Sequence, residues 1–188
     1  MKKLSVAIFI YLLLTSGCAV SRSNHLGDKV VYDIKSVIYN IDPIRKISPH
    51  DAIKIGIDLS SPKIDSSSTK GRFEIFEVAG DKNQSYFISA TGVCDCLGFR
   101  KEFITPVVYL LDQNGDMVAS GSPAGGKISQ YVSGKFPESG KYYLLVVADD
   151  RLDGQRIGQI GDPPDKFKIL AIPFFAQNTG TVMVNWQE

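Results

Sequence analysis

The chain is poor in the residues that carry most hydrolytic and metal chemistry. It has two histidines, His25 and His50, and no G-x-S-x-G anywhere. Neither histidine lies in a strand-like stretch that would hold it against a serine and a carboxylate, so a Ser-His-Asp centre has no base to build on. Paired carboxylates that hydrolyse glycosides meet only in a fold, and nothing here promotes a particular pair. Of three cysteines, Cys18, Cys94 and Cys96, the last two have no histidine nearby to complete a zinc site of three or four ligands. The formal charge of +1 gives no electrostatic ground for expecting nucleic acid. The glycine-rich "SGSPAGGK" lacks the spacing of a phosphate loop. These absences speak against an enzyme, and no cofactor or metal is expected.

What is present begins at the N-terminus. Lys2 and Lys3 precede an apolar run, Leu4 to Leu14, that suits a signal-peptide core and is too short to span a bilayer as a helix. No later run is long enough to do so. Thr15-Ser16-Gly17-Cys18 closes the segment. A plain secretory signal has no need of a cysteine after its small residues. The segment resembles a bacterial lipobox, with Thr15 where leucine is usual, and the resemblance implies acylation of Cys18 after cleavage at residue 17. Several acyl chains, each burying methylenes at about 0.8 kcal/mol apiece, anchor stably where one holds only weakly. Ala19, being no aspartate, implies by the same resemblance an outer-membrane lipoprotein with its folded part facing the periplasm.

In that oxidising compartment Cys94 and Cys96 in "GVCDCLG" are candidates for a disulfide. A Cys-x-Cys bridge closes a tight loop and is more easily reduced than an ordinary structural one. Separate thiols and a redox or metal role are the alternatives.

The remainder divides into a polar tether (18–27), a segment with helix-like spacing and a linker (28–50), and a strand-rich domain (51–188). Val30, Val31, Ile34, Val37, Ile38 and Ile41 fit a short helix capped by Asp28, although their β-branching keeps a strand open. From residue 52 the period changes to two: Ile53, Ile55, Ile57 and Leu59 alternate with polar or small residues. Eight further candidate strands follow, "RFEIFEVAG", "SYFISATGV", "ITPVVYLLD", "DMVASG", "ISQYVSGKF", "KYYLLVVAD", "KILAIPFF" and "GTVMVNW". Many short strands with Gly, Asn, Asp and Pro between them predict a mainly β chain, an antiparallel, jelly-roll-like β-sandwich. Phe73, Ile75, Phe76, Tyr86, Phe87, Tyr109, Leu111, Tyr143, Leu145 and Val147 are its expected core. Residues 151–166 read as a long insertion between strands.

Two clusters invite chemistry. Asp112, Asn114 and Asp116 alternate as in an EF-hand loop, but glycine falls at the fourth place and Pro123 stands at the twelfth, where a bidentate glutamate is required. Asn114-Gly115 between strand-like runs reads instead as a hairpin, of type I′. Asp149, Asp150 and Asp153 end an apolar strand and are candidate ligand contacts, against the plainer reading of a solvated strand exit. Tyr131, Tyr142 and Trp186 are candidate sugar-stacking rings, against the plainer reading of core or edge packing.

The order of segments "SPKIDSSSTKGRFEIFEV", "SYFISATGV", "FITPVVYLLDQNGDMVAS", "KYYLLVVADDRLDGQ" and "TGTVMVNW" is similar to the C-terminal region of the maltose-operon periplasmic protein family, MalM. Phe103, Pro106, Leu111 and Asp112 occupy its pattern, and the resemblance covers about residues 50–188. More loosely, "LLDQNGDMVAS…SGKYYLLV" resembles the pre-peptidase C-terminal type of β-sandwich. The first implies an envelope protein connected with maltodextrin use, the second a non-catalytic binding module. The expectation is a lipid-anchored envelope protein that binds a carbohydrate or another envelope protein; the alternative is an accessory lipoprotein of a surface or secretion complex.

Overall fold

The computed structural model describes residues 29–43, 45–94, 101–123, 128–160 and 172–187. Three sheets make up the fold. The largest is built on β5 (Lys70–Gly80), β12 (Gly140–Asp149) and β8 (Pro106–Leu111), with β9 (Met117–Ser120) at one side. On its other side the edge of β5 is shared by β4 (Lys63–Asp65) and β2 (Arg45–Ile47), and β1 (Val30–Val31) pairs in parallel with β4. The second sheet runs in the order β10 (Ser122–Pro123), β11 (Ser129–Lys135), β6 (Ser85–Val93), β15 (Gly180–Gln187), β3 (Ala52–Ile57). A small third sheet joins β13 (Arg156–Ile160), β14 (Ile172–Gln177) and β7 (Lys101–Ile104). The long pairings are all antiparallel, and the mainly β sandwich expected from the sequence is the fold. Among the described residues no helix is long and apolar enough to cross a membrane.

Side-chain parity explains the layering. Phe76, Val78, Tyr142, Leu144, Val146, Val108 and Leu110 point from the large sheet onto Ile55, Ile57, Tyr86, Ile88, Ala90, Val182, Val184 and Trp186 of the second. Phe136 sits in the middle, its ring 4.7 Å from those of Tyr86 and Tyr142 and 6.2 Å from Trp186. The opposite parity of the large sheet (Phe73, Ile75, Tyr109, Leu111, Leu145, Val147) is also buried, under Val31, Ile34, Val37 and Ile41. Hence "KYYLLVVAD" is a continuous apolar run, because its strand is covered on both faces. The second sheet is covered on one face, and its strands alternate.

The covering segment corrects the helix expected there. Only one turn, α1 (Val37–Asn40), is helical, and its N-cap is Ser36, which makes no side-chain cap bond; Asp28 lies outside the described residues. The β-branched residues that weaken a helix instead pair as β1 or insert singly into the sheet. We call residues 29–41 the strap.

Other expectations shift in detail. "ITPVVYLLD" breaks at Thr105, so that β7 belongs to the small sheet and β8 to the large one. Leu59 lies beyond the end of β3 and is 72% exposed. Phe87, expected in the core, faces outward, half-buried. The stretch read as an insertion holds a 3₁₀ turn, Asp150–Leu152, followed by β13; residues 161–166 lie outside the described residues. The hairpin between β8 and β9 is present, but not as type I′. Positive φ falls on Gly115 (77°) and not on Asn114. The Asp112 carboxylate accepts from the amides of Asn114 and Asp116, both at 2.8 Å, and the register shifts between Leu110 and Leu111. A left-handed glycine closing a bulged loop is the next commonest hairpin solution.

One ion-pair cluster ties three strands together. Glu77 on β5 accepts from Lys46 on β2 at 2.9 Å and from Lys141 on β12 at 2.8 Å. Hydrogen bonds from Lys141 and Lys46 hold the Glu77 carboxyl below its ordinary value of 4.5. A carboxyl depressed in the folded state stabilises the fold above its unfolded pKa and loses that contribution as pH falls through the folded pKa. The Glu77→Gln variant should therefore be less stable at pH 7, and below pH 4 its difference from the parent should shrink. Both lysines are largely exposed (side chains 73% and 51%), so solvent screening keeps the loss to about 1 kcal/mol or less, smaller still in high salt. Urea unfolding at the two pH values checks this.

Candidate functional site

The three carboxylates at the exit of β12 do not converge. Asp149 is buried, at 6% exposure. It takes a two-pronged contact from Arg151, Nε to Oδ1 at 2.8 Å and Nη2 to Oδ2 at 2.8 Å, and also accepts from the Arg151 amide. This carboxylate raises the guanidinium's already high pKa further. Asp150 turns to Lys63 at 3.0 Å, and Asp153 accepts from Asn178 at 3.4 Å. Arg151 also donates to the carbonyl of Ser68 at 3.2 Å, beside the Thr69–Tyr109 hydroxyl pair. The cluster thus staples the 3₁₀ turn to the end of the large sheet. Among the described residues no group of three or more His, Cys, Asp or Glu is placed to hold a metal.

Cys18 lies outside the described residues. Cys94 follows the end of β6, half-buried, and Cys96 lies outside the described residues, so the candidate bridge does too. Of the candidate stacking rings, Trp186 (1% exposed) and Tyr142 (3%) are core residues, Tyr142 donating its hydroxyl to the Glu138 carbonyl at 2.7 Å. Tyr131 is different.

Tyr131 stands on the outer face of the second sheet. Inner positions of β6, β11, β15 and β3 fill the core, so the alternate positions form a surface whose layout follows from the register. One row reads Ser133, Phe87, Gln187; the next Tyr131, Ser89, Asn185, Ala52; the next Ser129, Thr91, Met183, Lys54. Phe87 and Tyr131, diagonal neighbours, stack with ring centroids 4.9 Å apart and 20° between planes. The Thr91 and Ser129 hydroxyls lie 2.8 Å apart and share a hydrogen bond.

The outward positions of these four strands carry no carboxylate. Their cations, Lys54 and Lys135, sit on the outermost strand β3 and at the end of β11. Between them lies an uncharged field: two rings, hydroxyls from Ser89, Thr91, Ser129 and Ser133, the amide of Asn185 and the thioether of Met183. Such a surface offers apolar faces beside neutral donors and acceptors, which suits a ligand with C–H faces and hydroxyl edges. Charge enters it only at the margins, through Lys54 and Lys135.

Sequence reasoning picked Tyr131 but missed its companions. The signal was the strict alternation of "SYFISATGV". Once Tyr86, Ile88 and Ala90 are assigned inward, Phe87, Ser89 and Thr91 must point out.

No family model matches the chain, and no curated protein matches it. The resemblance to the maltose-operon family thus finds no counterpart there. Among solved structures, the chain is similar to the pre-peptidase C-terminal domain of a collagenase from Bacillus anthracis, at 15% identity, with 79% of this chain and 99% of that one covered and a TM-score of 0.43. It is also similar to a protein from Sulfurospirillum deleyianum, at 11% identity, with 73% and 98% covered and a TM-score of 0.30. The structural neighbour named as a domain type is therefore of the pre-peptidase C-terminal kind, at low identity.

Proposed function

We propose that this chain is a non-enzymatic, lipid-anchored protein of the bacterial envelope whose β-sandwich binds a neutral carbohydrate, a maltodextrin in the MalM-like reading, on the outer face of the second sheet. The anchoring rests on Thr15-Ser16-Gly17-Cys18 behind a short apolar core. The binding reading is carried by one observation, the Phe87–Tyr131 stack set in a carboxylate-free field of hydroxyl and amide groups.

Thermal unfolding in the presence of a panel of maltodextrins, with charged peptidoglycan fragments as a contrast, tests it. A ligand at a hundred times its dissociation constant adds about 2.7 kcal/mol of stability, which for a chain of this size raises Tm by roughly 5–10 °C. Tyr131→Ala and Phe87→Ala should each remove most of that shift. Each costs the free protein about 1 kcal/mol or less, because neither ring is in the core. Binding through an uncharged face should also be nearly indifferent to salt between about 0.05 and 0.5 M. No shift with any neutral glycan would end the carbohydrate reading.

The accessory reading has one observation in its favour. β3 is an end strand of the second sheet, paired with β15 on one side; such an edge accepts an added strand. Lys54 at its centre is the kind of residue that discourages such pairing. Co-purification of an envelope protein with no glycan-induced shift would favour this alternative.

A further inference from the structure

The strap carries its own exposed apolar surface. Val31, Ile34, Val37 and Ile41 are buried against the large sheet, while Tyr32 and Tyr39 are left 73% and 71% exposed and Val30 42%. Three of the five large apolar side chains most exposed among the described residues thus fall within ten positions of one another. Beside them lies a groove of about 390 Å³, lined by Lys29, Val30, Tyr32, Asp33, Ser36 and Asn40. The strap crosses from the β4 edge, where β1 pairs, to the β8–β9 hairpin. There Lys35 is paired with Asp116 and the Tyr39 hydroxyl donates to the Asn114 carbonyl at 3.3 Å.

We infer that the exposed side of the strap, centred on Tyr32 and Tyr39, rests on the surface of the bilayer that holds the acylated Cys18. This rests on the lipoprotein reading above. The occupant is argued from where the chain goes. Residues 19–28 alone separate Cys18 from Lys29. Ten residues reach at most about 35 Å, whatever their conformation. The strap is therefore held within a few nanometres of the membrane, at an effective concentration that makes even a weak contact persist.

Tyrosine suits that contact: its ring is apolar, its hydroxyl polar, and it is enriched at the headgroup level of bilayers. Lys29, with Asp33 and Asp42 close in sequence, gives the patch no net basic charge. Zwitterionic lipid should serve, with little salt dependence.

The consequence joins the two surfaces. The strap lies on the side of the large sheet opposite the second sheet. With the strap against the bilayer, the Phe87–Tyr131 face points away from it, open to polymers in the aqueous space.

The test uses the full-length, acylated protein in phosphatidylcholine vesicles, with and without brominated acyl chains. Tyr32→Trp and Tyr39→Trp each place an indole at the exposed side, and buried Trp186 serves as an internal reference. The expected result is a blue-shifted added emission, quenched roughly twofold or more by bromine lying within the 5–10 Å depth of an interfacial contact. Emission that stays water-like and unquenched on vesicle-bound protein overturns the inference while leaving the anchor standing. A blue shift that depends on protein concentration without vesicles assigns the patch to a second copy and likewise overturns it. An N-terminal peptide lacking acyl mass, with protein absent from the vesicle fraction, overturns the anchor and this inference together.

Discussion

Gly71→Ala is expected to destabilise the sandwich by about 3–5 kcal/mol, as the sum of backbone strain and overpacking. Gly71 lies in β5, opposite Asp149 on β12 and Ile64 on β4, with φ at +151°, a region essentially closed to residues with a Cβ. A methyl there would overlap the carbonyl of Ala148 and sit 3.1 Å from Val147 Cγ1. The first obstacle is backbone at the last pairs of the β5–β12 ladder, so relief requires that end of the ladder to part. Against a total stability of about 5–15 kcal/mol, the loss lowers Tm by roughly 10 °C or more. Gly56→Ala is the control, since a Cβ there meets nothing within 4 Å; its change should stay within about 0.5 kcal/mol. Urea unfolding of both variants decides the matter, and equal midpoints would mean that the strand can shift to admit the methyl.

Cys18→Ser should move the protein from the membrane fraction to the soluble one. Serine matches cysteine in size but lacks the thiol that the lipobox reading requires. At about 0.8 kcal/mol per buried methylene, one chain binds membranes only marginally and a second makes the anchor stable. Loss of all acyl chains should therefore lower membrane partitioning by several orders of magnitude, while the Tm of the sandwich stays unchanged. Fractionation with acyl-chain labelling measures both, and a variant that stays in the envelope with its label intact would exclude Cys18 as the acylated residue.

The two candidate sites differ in how far they could be read beforehand. Asp149, Asp150 and Asp153 are close in sequence, but closeness at a strand exit says nothing about direction. A 3₁₀ turn sends the three to Arg151, Lys63 and Asn178. Tyr131, Tyr142 and Trp186 looked alike as aromatic residues in strands. Their opposite fates follow from the side of the second sheet each meets, and from whether the large sheet lies there. Hydrophobicity alone assigns Phe87 to the core, although its own strand alternates in a way that puts it outside.

By itself the amino-acid sequence determined where the long strands are, because period-two alternation and Gly, Asn, Asp and Pro punctuation are local properties of the backbone and its pleat; the short β1, β2, β4 and β13 carry too few residues to show a period. It also placed the β8–β9 hairpin, since Asp112 and Gly115 build that turn from neighbours in the chain. Only the tertiary structure decided that the strap's helical spacing is a run of separate plugs for the outer face of the large sheet. The same holds for the stacking of Phe87 on Tyr131, residues far apart in the chain brought together by strand register. Register is set by which faces must leave water, and that cost is shared among strands that do not know of one another until the sheets close.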